Sequence, residues 1–188
     1  RRGHTAVPMS DGRVMVIGGW DGDGILSSAE IFNPKSGRWS RVDGLRNARY
    51  LHVSLPLPDG RVVVVGGLGE DGALASAEIF NPETEMWSHA GEMARARYLH
   101  SATIRGDGRL LVAGGRADTY VYLATAEIFD PETRDWTPGG RMSQARIWHT
   151  MSALEDDSAI AVGGYLEDRS GGRFLDSAEL FEPEEEAA

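Results

Sequence analysis

Histidine recurs at a nearly fixed interval in this sequence, and a ring of metal-binding imidazoles is the first chemistry that the spacing suggests. His4, His52, His100 and His149 lie 48, 48 and 49 residues apart. Imidazole is a common metal ligand, and equivalent positions in a ring of repeats lie on a circle. The spacing is equally typical of residues that serve the repeat itself, hydrogen-bonded at the start of a strand. We favour this structural interpretation, since a residue present in every copy usually maintains the repeat.

Other reactive residue types give weaker signals. The segment Asp21-Gly22-Asp23-Gly24 has part of the spacing of a calcium loop, but it lacks the third acidic ligand and the distant Glu. A surface turn is the better interpretation. No Ser and His spacing indicates a nucleophile with its base, and the absence of cysteine excludes disulfides and thiolate metal sites. We therefore predict no cofactor, metal or catalytic residue, and we favour a non-enzyme.

Composition and charge exclude several classes of partner. The chain has 188 residues, of which 41% are hydrophobic, and this is ample for a core. No run of 18 apolar residues exists to span a membrane. The net charge of −10 argues against nucleic acids and anionic membranes as partners. The charge is uneven, because residues 1–48 carry seven basic and five acidic residues, whereas residues 146–188 carry three and eleven.

A unit of about 48 residues occurs four times in the sequence. A Gly-Gly doublet recurs with the same step as the histidines, and a Trp follows it in the first three copies. These positions are Gly18-Gly19, Gly66-Gly67, Gly114-Gly115 and Gly163-Gly164, with Trp39, Trp87 and Trp136. A fixed period of this length indicates one supersecondary unit stacked on copies of itself. We predict repeats over 1–48, 49–96, 97–145 and 146–188, joined in a single unit over 1–188.

The second copy shows which elements position the repeated residues. Residues 52–57 have strand character and are followed by Asp-Gly at 59–60, a strong signal for a short hairpin. Residues 61–65 form a continuous apolar run, which is typical of a strand covered on both faces. A third strand over 76–80, a turn and a fourth strand at Trp87 follow. Four antiparallel strands per repeat make one propeller blade.

The spacing also predicts packing roles for the recurring residues. We expect the Trp side chains to fill the space between neighbouring blades, and the Gly pairs to let backbones approach closely near the axis. A Glu recurs inside a strand and an Arg recurs three residues before each His. A charge inside a sheet needs a partner, so we predict partly buried Arg–Glu pairs that tie blades together. The residues concerned are Arg1, Arg49, Arg97 and Arg146 with Glu30, Glu78, Glu127 and Glu179.

These residues resemble the kelch-repeat family. Its marks are the Gly-Gly doublet, an aromatic residue some thirteen positions on and a Trp beyond it, here Gly66-Gly67, Phe80 and Trp87. The sequence resembles kelch segments of large, often exported bacterial proteins (bacterial kelch-motif proteins), some of them similar to galactose oxidase. The resemblance implies an all-β kelch β-propeller with about four blades of four antiparallel strands. It also favours an exported or extracellular location.

Two departures from the family pattern bear on architecture and chemistry. Kelch propellers usually close with six or seven blades, and the fourth blade here lacks sequence for its last strand. We expect, in this order, part of a larger propeller, an open arc completed by self-association, or a closed ring of four blades. Galactose oxidase needs a copper site with a Tyr cross-linked to Cys, which a chain without Cys cannot form. The iron-site triplet of plant specifier proteins is also missing around the five His residues.

In kelch proteins, the loops after the Gly pairs decorate one face and often bind the ligand. These loops differ in every copy here, and so does the residue pair between Arg and His, although simple loop drift would give the same variation. Exposed aromatic residues and Arg suit a binding hot spot. The candidate partner-binding residues are Trp20, Asp21, Tyr50, Tyr98, Arg116, Tyr120, Tyr122, Trp148, Tyr165 and Arg169.

The preferred function is a non-catalytic kelch scaffold that binds a protein partner through these loops. One alternative is a carbohydrate-binding propeller, with Trp20, Tyr120 and Tyr165 stacking on sugar rings. Another is the propeller part of an oxidase-like enzyme whose active residues lie outside this chain. A third is a structural repeat that self-associates through open blade ends.

Overall fold

The computed structural model describes residues 1–168 and 171–182, and these residues form β-strands without a helix. None of them therefore forms a helix long and apolar enough to cross a membrane. The first sheet contains, in spatial order, β1 (Thr5–Pro8), β2 (Val14–Ile17), β3 (Ala29–Asn33) and β4 (Arg38–Val42). All neighbouring strands are antiparallel.

The second and third sheets repeat this order, with a small hairpin inserted before the third strand. The second contains β5 (Val53–Pro56), β6 (Val62–Val65), β9 (Ser76–Asn81) and β10 (Met86–Glu92), with the hairpin β7 (Leu68–Gly69) and β8 (Gly72–Ala73). The third contains β11 (Ser101–Ile104), β12 (Leu110–Ala113), β15 (Thr125–Phe129) and β16 (Trp136–Arg141), with the hairpin β13 (Arg116–Asp118) and β14 (Val121–Tyr122). The predicted four antiparallel strands per repeat are confirmed.

The fourth sheet has three strands within the described residues. These are β17 (Thr150–Ala153), β18 (Ala159–Val162) and β21 (Ala178–Phe181), and the inserted hairpin is β19 (Tyr165–Asp168) with β20 (Gly171–Phe174). The chain divides into two compact units, Arg1–Tyr98 with the first two sheets and Leu99–Ala188 with the other two.

Each unit has a core in which two sheets pack face to face. In the first unit, Met15 and Ile17 of β2 share a cluster with Val62 and Val64 of β6. All four side chains of β6 are at most 1% exposed, so the run that sequence predicts to be covered on both faces is covered. In the second unit, the equivalent cluster includes Leu111 and Ala113 of β12 with Ala159 and Ala161 of β18.

The Gly pairs allow close backbone contact, as the sequence predicts. A Cβ at Gly67 would lie 2.8 Å from the Cβ of His52 and 2.9 Å from the carbonyl oxygen of Tyr50. Its φ of 100° also belongs to a region that residues with side chains rarely adopt. Any larger residue would push the Tyr50–His52 segment of the same repeat away from Gly67.

Arg49 forms a buried network with the sheet that follows it. Its guanidinium donates to the carbonyl oxygens of Gly66 (2.8 Å) and Ser76 (3.0 Å) and to Glu78 Oε1 (2.8 Å). The Arg49 side chain is fully buried and that of Glu78 is 3% exposed. The predicted buried Arg–Glu pair is therefore confirmed at this junction.

The main chain of Arg49 is hydrogen-bonded to the preceding repeat. Its carbonyl oxygen accepts a hydrogen bond from Gly19 N (2.8 Å), and its amide donates to Leu26 O (3.1 Å). The Glu78 carboxylate also reaches back, accepting from the amides of Arg46 (2.8 Å) and Asn47 (3.3 Å). The network therefore joins the first repeat to the second.

The second unit has the same junction. Arg146 is fully buried, donates to Gly163 O (2.8 Å) and pairs with Glu179, while its amide donates to Leu123 O (3.2 Å) in the third repeat. At the first repeat, the pair of Arg1 with Glu30 (2.8 Å) is partly exposed, with side chains 18% and 28% accessible. The remaining predicted partners, Arg97 and Glu127, are both buried.

The predicted role of the repeated Trp residues is only partly correct. Trp87 packs against the first-unit core, and its indole N–H donates to Asp43 O (2.8 Å) of the preceding repeat. Trp136 is also partly buried. Trp39 is 58% exposed and contacts Phe32 on the neighbouring strand, so the prediction that it fills an inter-blade space is wrong.

The turn between the first two strands of each sheet requires a positive φ. Glycine occupies this position in the first three repeats, with φ between 81° and 87°, and Asp157 occupies it in the fourth with φ 61°. The fourth hairpin therefore places a non-glycine residue in the left-handed region. This arrangement costs free energy that glycine avoids.

We predict that Asp157→Gly stabilises the protein by about 1 kcal/mol, because glycine relieves the strain at this φ. The main-chain oxygen of Asp157, which accepts from Arg105 Nε (2.8 Å), is retained in the variant. Urea unfolding of the two proteins measures the difference.

The neighbouring Asp156 supplies a matched control. Its carboxylate accepts a hydrogen bond from Ser158 N (3.1 Å), so Asp156→Gly should lower the free energy of unfolding instead. An Asp157→Gly variant no more stable than the parent chain would contradict the interpretation.

Candidate functional site

A main-chain bridge joins the two variable segments that sequence analysis selects as candidate binding sites. The first residue after the Gly pair and the first residue of the pair between Arg and His donate to each other's carbonyl oxygen, at distances of 2.8–3.1 Å. The bridged pairs are Arg2 with Trp20, Tyr50 with Leu68, and Ile147 with Tyr165. The variable loop and the variable pair therefore form one surface in these repeats.

The second residue of each variable pair has a left-handed backbone. The φ of Leu51 is 55°, and that of Leu99 and Trp148 is 56°, while Gly3 at the equivalent position has φ 59°. Main-chain hydrogen bonds hold this shape, since Leu51 N donates to Gly3 O (2.8 Å) and Trp148 N to Leu99 O (3.3 Å). Bulky residues rarely adopt this conformation, and such strain clusters at functional sites.

Three aromatic side chains form a cluster in the second unit. The ring of Tyr165 lies 5.8 Å from that of Trp148 and 5.4 Å, edge-on, from that of Phe174. Trp148 is 62% exposed and Phe174 is 84% exposed. These residues, Trp148, Tyr165 and Phe174, are called the aromatic cluster below. Exposed aromatic surface of this kind is uncommon unless it binds something.

The β19–β20 hairpin builds this cluster. Its register places Tyr165 directly opposite Phe174, where cross-strand aromatic pairs interact best. A Cβ at Gly172 would collide with the Tyr165 ring, so glycine is required beneath it. Sequence reasoning missed Phe174, and the only signal that could have revealed it was the Gly171-Gly172 pair, as a mark of a hairpin.

The β13–β14 hairpin lies next to this cluster in the same unit. Tyr122 donates its hydroxyl to Glu167 Oε2 (3.2 Å) of β19, and the Arg116 guanidinium lies 5.0 Å from the Tyr122 ring centre. Burial, and then the Glu167 carboxylate, raises the pKa of the Tyr122 phenol, which therefore keeps its proton. At the tip of the hairpin, Tyr120 is 83% exposed and Val121 is 44% exposed.

The repeated sequence and its sheets are similar to those of known proteins. A family model described as the KLHDC2/KLHL20/DRC7 Kelch-repeats domain matches residues 1–164.

The chain belongs to the kelch-repeat family.

The solved structure of YjhT, a kelch-repeat propeller protein, matches this kelch chain with a TM-score of 0.81. The two sequences are 18% identical, and the match covers 96% of this chain and 68% of YjhT. A likeness at this identity shows the fold, and the predicted all-β kelch propeller is thereby confirmed. No curated protein matches the chain significantly in sequence.

The predicted site residues of this kelch chain differ in their exposure and in the residues that they contact. Within the second unit it brings Trp148 into ring contact with Tyr165, and Arg116 over Tyr122, while Tyr120 stands at a hairpin tip. Arg169 lies outside the described residues.

In the first unit, the predicted residues are more enclosed. Trp20 is partly buried, and the Arg2 guanidinium lies 4.0 Å from the centre of its ring. Asp21 accepts hydrogen bonds from the amides of Asp23 (3.0 Å) and Gly24 (3.1 Å), which lower the pKa of its carboxyl. This is the surface turn expected from sequence. Tyr50 and Tyr98 are partly buried.

The repeated kelch histidines are mostly internal. His52, His100 and His149 are at most 6% exposed, whereas His4 is exposed. His52 Nε2 lies 2.9 Å from the hydroxyl of Thr5 in the preceding repeat. Among the described residues, no three His, Cys, Asp or Glu side chains stand close enough to hold a metal ion. These contacts favour the structural interpretation of the histidine spacing.

Burial sets the protonation of two of these histidines. Burial, and then the nearby Arg49, lowers the pKa of His52 to about 3. Burial, and then Arg146, lowers the pKa of His149 to about 4. Both imidazoles are therefore neutral in the folded protein near pH 7 and tend to stay neutral as the pH falls.

We predict that lowering the pH decreases the free energy of unfolding already at pH values well above those at which carboxylates titrate. Unfolded histidine takes up a proton near pH 6.5, whereas folded His52 and His149 do so only near pH 3 and 4. Their contribution to stability is therefore complete above pH 6.5 and is lost as the pH falls towards the folded values. Between pH 7 and pH 5 the two residues should together remove roughly 4 kcal/mol from the free energy of unfolding.

Urea unfolding at several pH values measures this loss. His52→Gln should flatten the pH dependence by about half. A free energy of unfolding that is constant between pH 7 and pH 5 would refute the assignment.

Proposed function

We propose that this kelch-repeat propeller is a non-catalytic scaffold that binds a protein partner through its variable hairpins. The observation that carries the proposal is the aromatic cluster of Trp148, Tyr165 and Phe174, which is exposed and held on a hairpin of defined register. Trp and Tyr dominate the binding energy of protein interfaces, because they offer a large contact area with few rotatable bonds.

The surroundings of the cluster support a protein partner. Polar groups border the aromatic rings, including the pair of Arg173 with Asp168 (3.6 Å) and the Tyr122–Glu167 hydrogen bond. An apolar centre with a polar rim is the usual anatomy of a protein interface. The exposed Tyr120 extends the apolar surface on the neighbouring hairpin.

The carbohydrate alternative has less support from the same contacts. A ring that stacks on a sugar needs an open face. Tyr165 has aromatic neighbours on two sides, and one face of Trp20 is covered by the Arg2 guanidinium. Of the three residues proposed for sugar stacking, Tyr120 alone is largely exposed.

The test is selection of peptides from a random display library on the 188-residue chain. We predict that the selected peptides bind at least about 10-fold more weakly to Trp148→Ser and to Phe174→Ser, since loss of a hot-spot aromatic costs more than 1 kcal/mol. Isothermal titration calorimetry with the purified peptides measures the affinities.

Trp39 provides the matched control. It is 58% exposed, which is close to the 62% of Trp148, but it lies on the outer strand of the first sheet. Trp39→Ser should bind the selected peptides as the parent chain does. Peptides that bind all variants equally, or a glycan array in which binding depends on Tyr120 and not on Trp148, would contradict the proposal.

A further inference from the structure

Each sheet of this protein has two chemically distinct faces, because side chains alternate along a strand. In the first unit, Met15, Ile17 and Ile31 of the first sheet pack on Val62 and Val64 of the second. The face that contacts the following repeat is called the trailing face, and the face that contacts the preceding repeat is called the leading face.

The second unit follows the same rule. Leu111 and Ala113 on the trailing face of the third sheet share a cluster with Ala159 and Ala161 on the leading face of the fourth. Two independent junctions of this chain therefore use equivalent residues. At both junctions, the trailing face of one sheet packs against the leading face of the next.

The trailing face of the fourth sheet is exposed over the residues that the structure describes. Val162 and Leu180 are 46% and 52% exposed, although the equivalent residues of the first sheet, Ile17 and Ile31, are at most 1% exposed. Ile160, opposite Leu180 in the register, is partly exposed. Apolar residues that neighbouring repeats bury are here in contact with solvent, which is a source of association free energy.

The leading face of the first sheet is also uncovered. Val14 and Val16 are partly exposed, whereas the equivalent Val62 and Val64 of the second sheet are fully buried. Trp39 belongs to this face, because it pairs with Phe32 and Phe32 pairs with Val14. Trp39, whose exposure contradicts its predicted role, is 58% exposed on this face.

The charges of the two end repeats are complementary. Residues 1–48 carry seven basic and five acidic residues, whereas residues 146–188 carry three basic and eleven acidic residues. Opposite charge favours encounter of the first repeat of one molecule with the fourth repeat of another.

We propose that the trailing face of the fourth sheet binds the leading face of the first sheet of a second copy of this chain. The contact repeats the packing of the two junctions inside the chain. It is head-to-tail, so the bound pair still offers one free face of each kind, one on each copy. It uses no residue of the aromatic cluster, and the two proposals can therefore fail separately.

Light scattering of the 188-residue chain at two protein concentrations tests the proposal. We expect the average mass to exceed the 20.4 kDa of one chain and to rise with concentration. Leu180→Glu and Val16→Glu, which each place a charge on one of the two faces, should each yield single chains. Val121→Glu, at a hairpin residue of similar exposure (44%), should associate as the parent chain does.

A mixture of the two face variants provides the decisive measurement. Each retains one intact face of the opposite kind, so the mixture should form a dimer that grows no further. A variant that merely failed to fold could not be rescued in this way. A parent chain with a mass of 20.4 kDa at both concentrations, or a mixture that stays monomeric, would overturn the proposal.

Discussion

The guanidinium of Arg49 and the carboxylate of Glu78 meet inside the protein, where neither charge would be tolerated alone. The cost of removing both charges from water is offset because each also hydrogen-bonds main-chain groups. Arg49 donates to carbonyl oxygens of its own repeat. Glu78 accepts from the amides of Arg46 and Asn47, which come shortly before Arg49 in the chain. Arg146 and Glu179 repeat this arrangement. The rest of the repeat depends on it, because the main chain of the arginine is anchored to the preceding sheet while its side chain is anchored to the following one.

The same arginine positions the variable surface. The two residues after it, such as Ile147 and Trp148, lie between a fixed guanidinium and a buried histidine, and the bridge to the hairpin begins at the first of them. The left-handed turn at the second then directs its side chain outward. The residues that recur in every repeat thus hold the backbone, and the side chains that differ between repeats are displayed on it.

The recurring residues allowed most of the fold to be predicted. The strands, the close approach at Gly67 and the Arg–Glu pairs follow from periodicity, since each copy reports the same local requirement. The exposure of Trp39 could not be predicted in this way, because it depends on the neighbour of one particular copy. Phe174 was missed for a related reason, since its role depends on the register of a hairpin that only the fourth repeat contains in this form.

A double-mutant cycle on Arg49 and Glu78 tests the central claim most directly. The free energy of unfolding is measured for Arg49→Met, Glu78→Leu and the double variant, with the exposed pair of Arg173 and Asp168 (3.6 Å) as the reference cycle. The account predicts a coupling energy of about 2 kcal/mol or more for the buried pair, because each single variant leaves one buried charge without its partner. A coupling of less than about 0.5 kcal/mol, as is typical of exposed ion pairs, would contradict it.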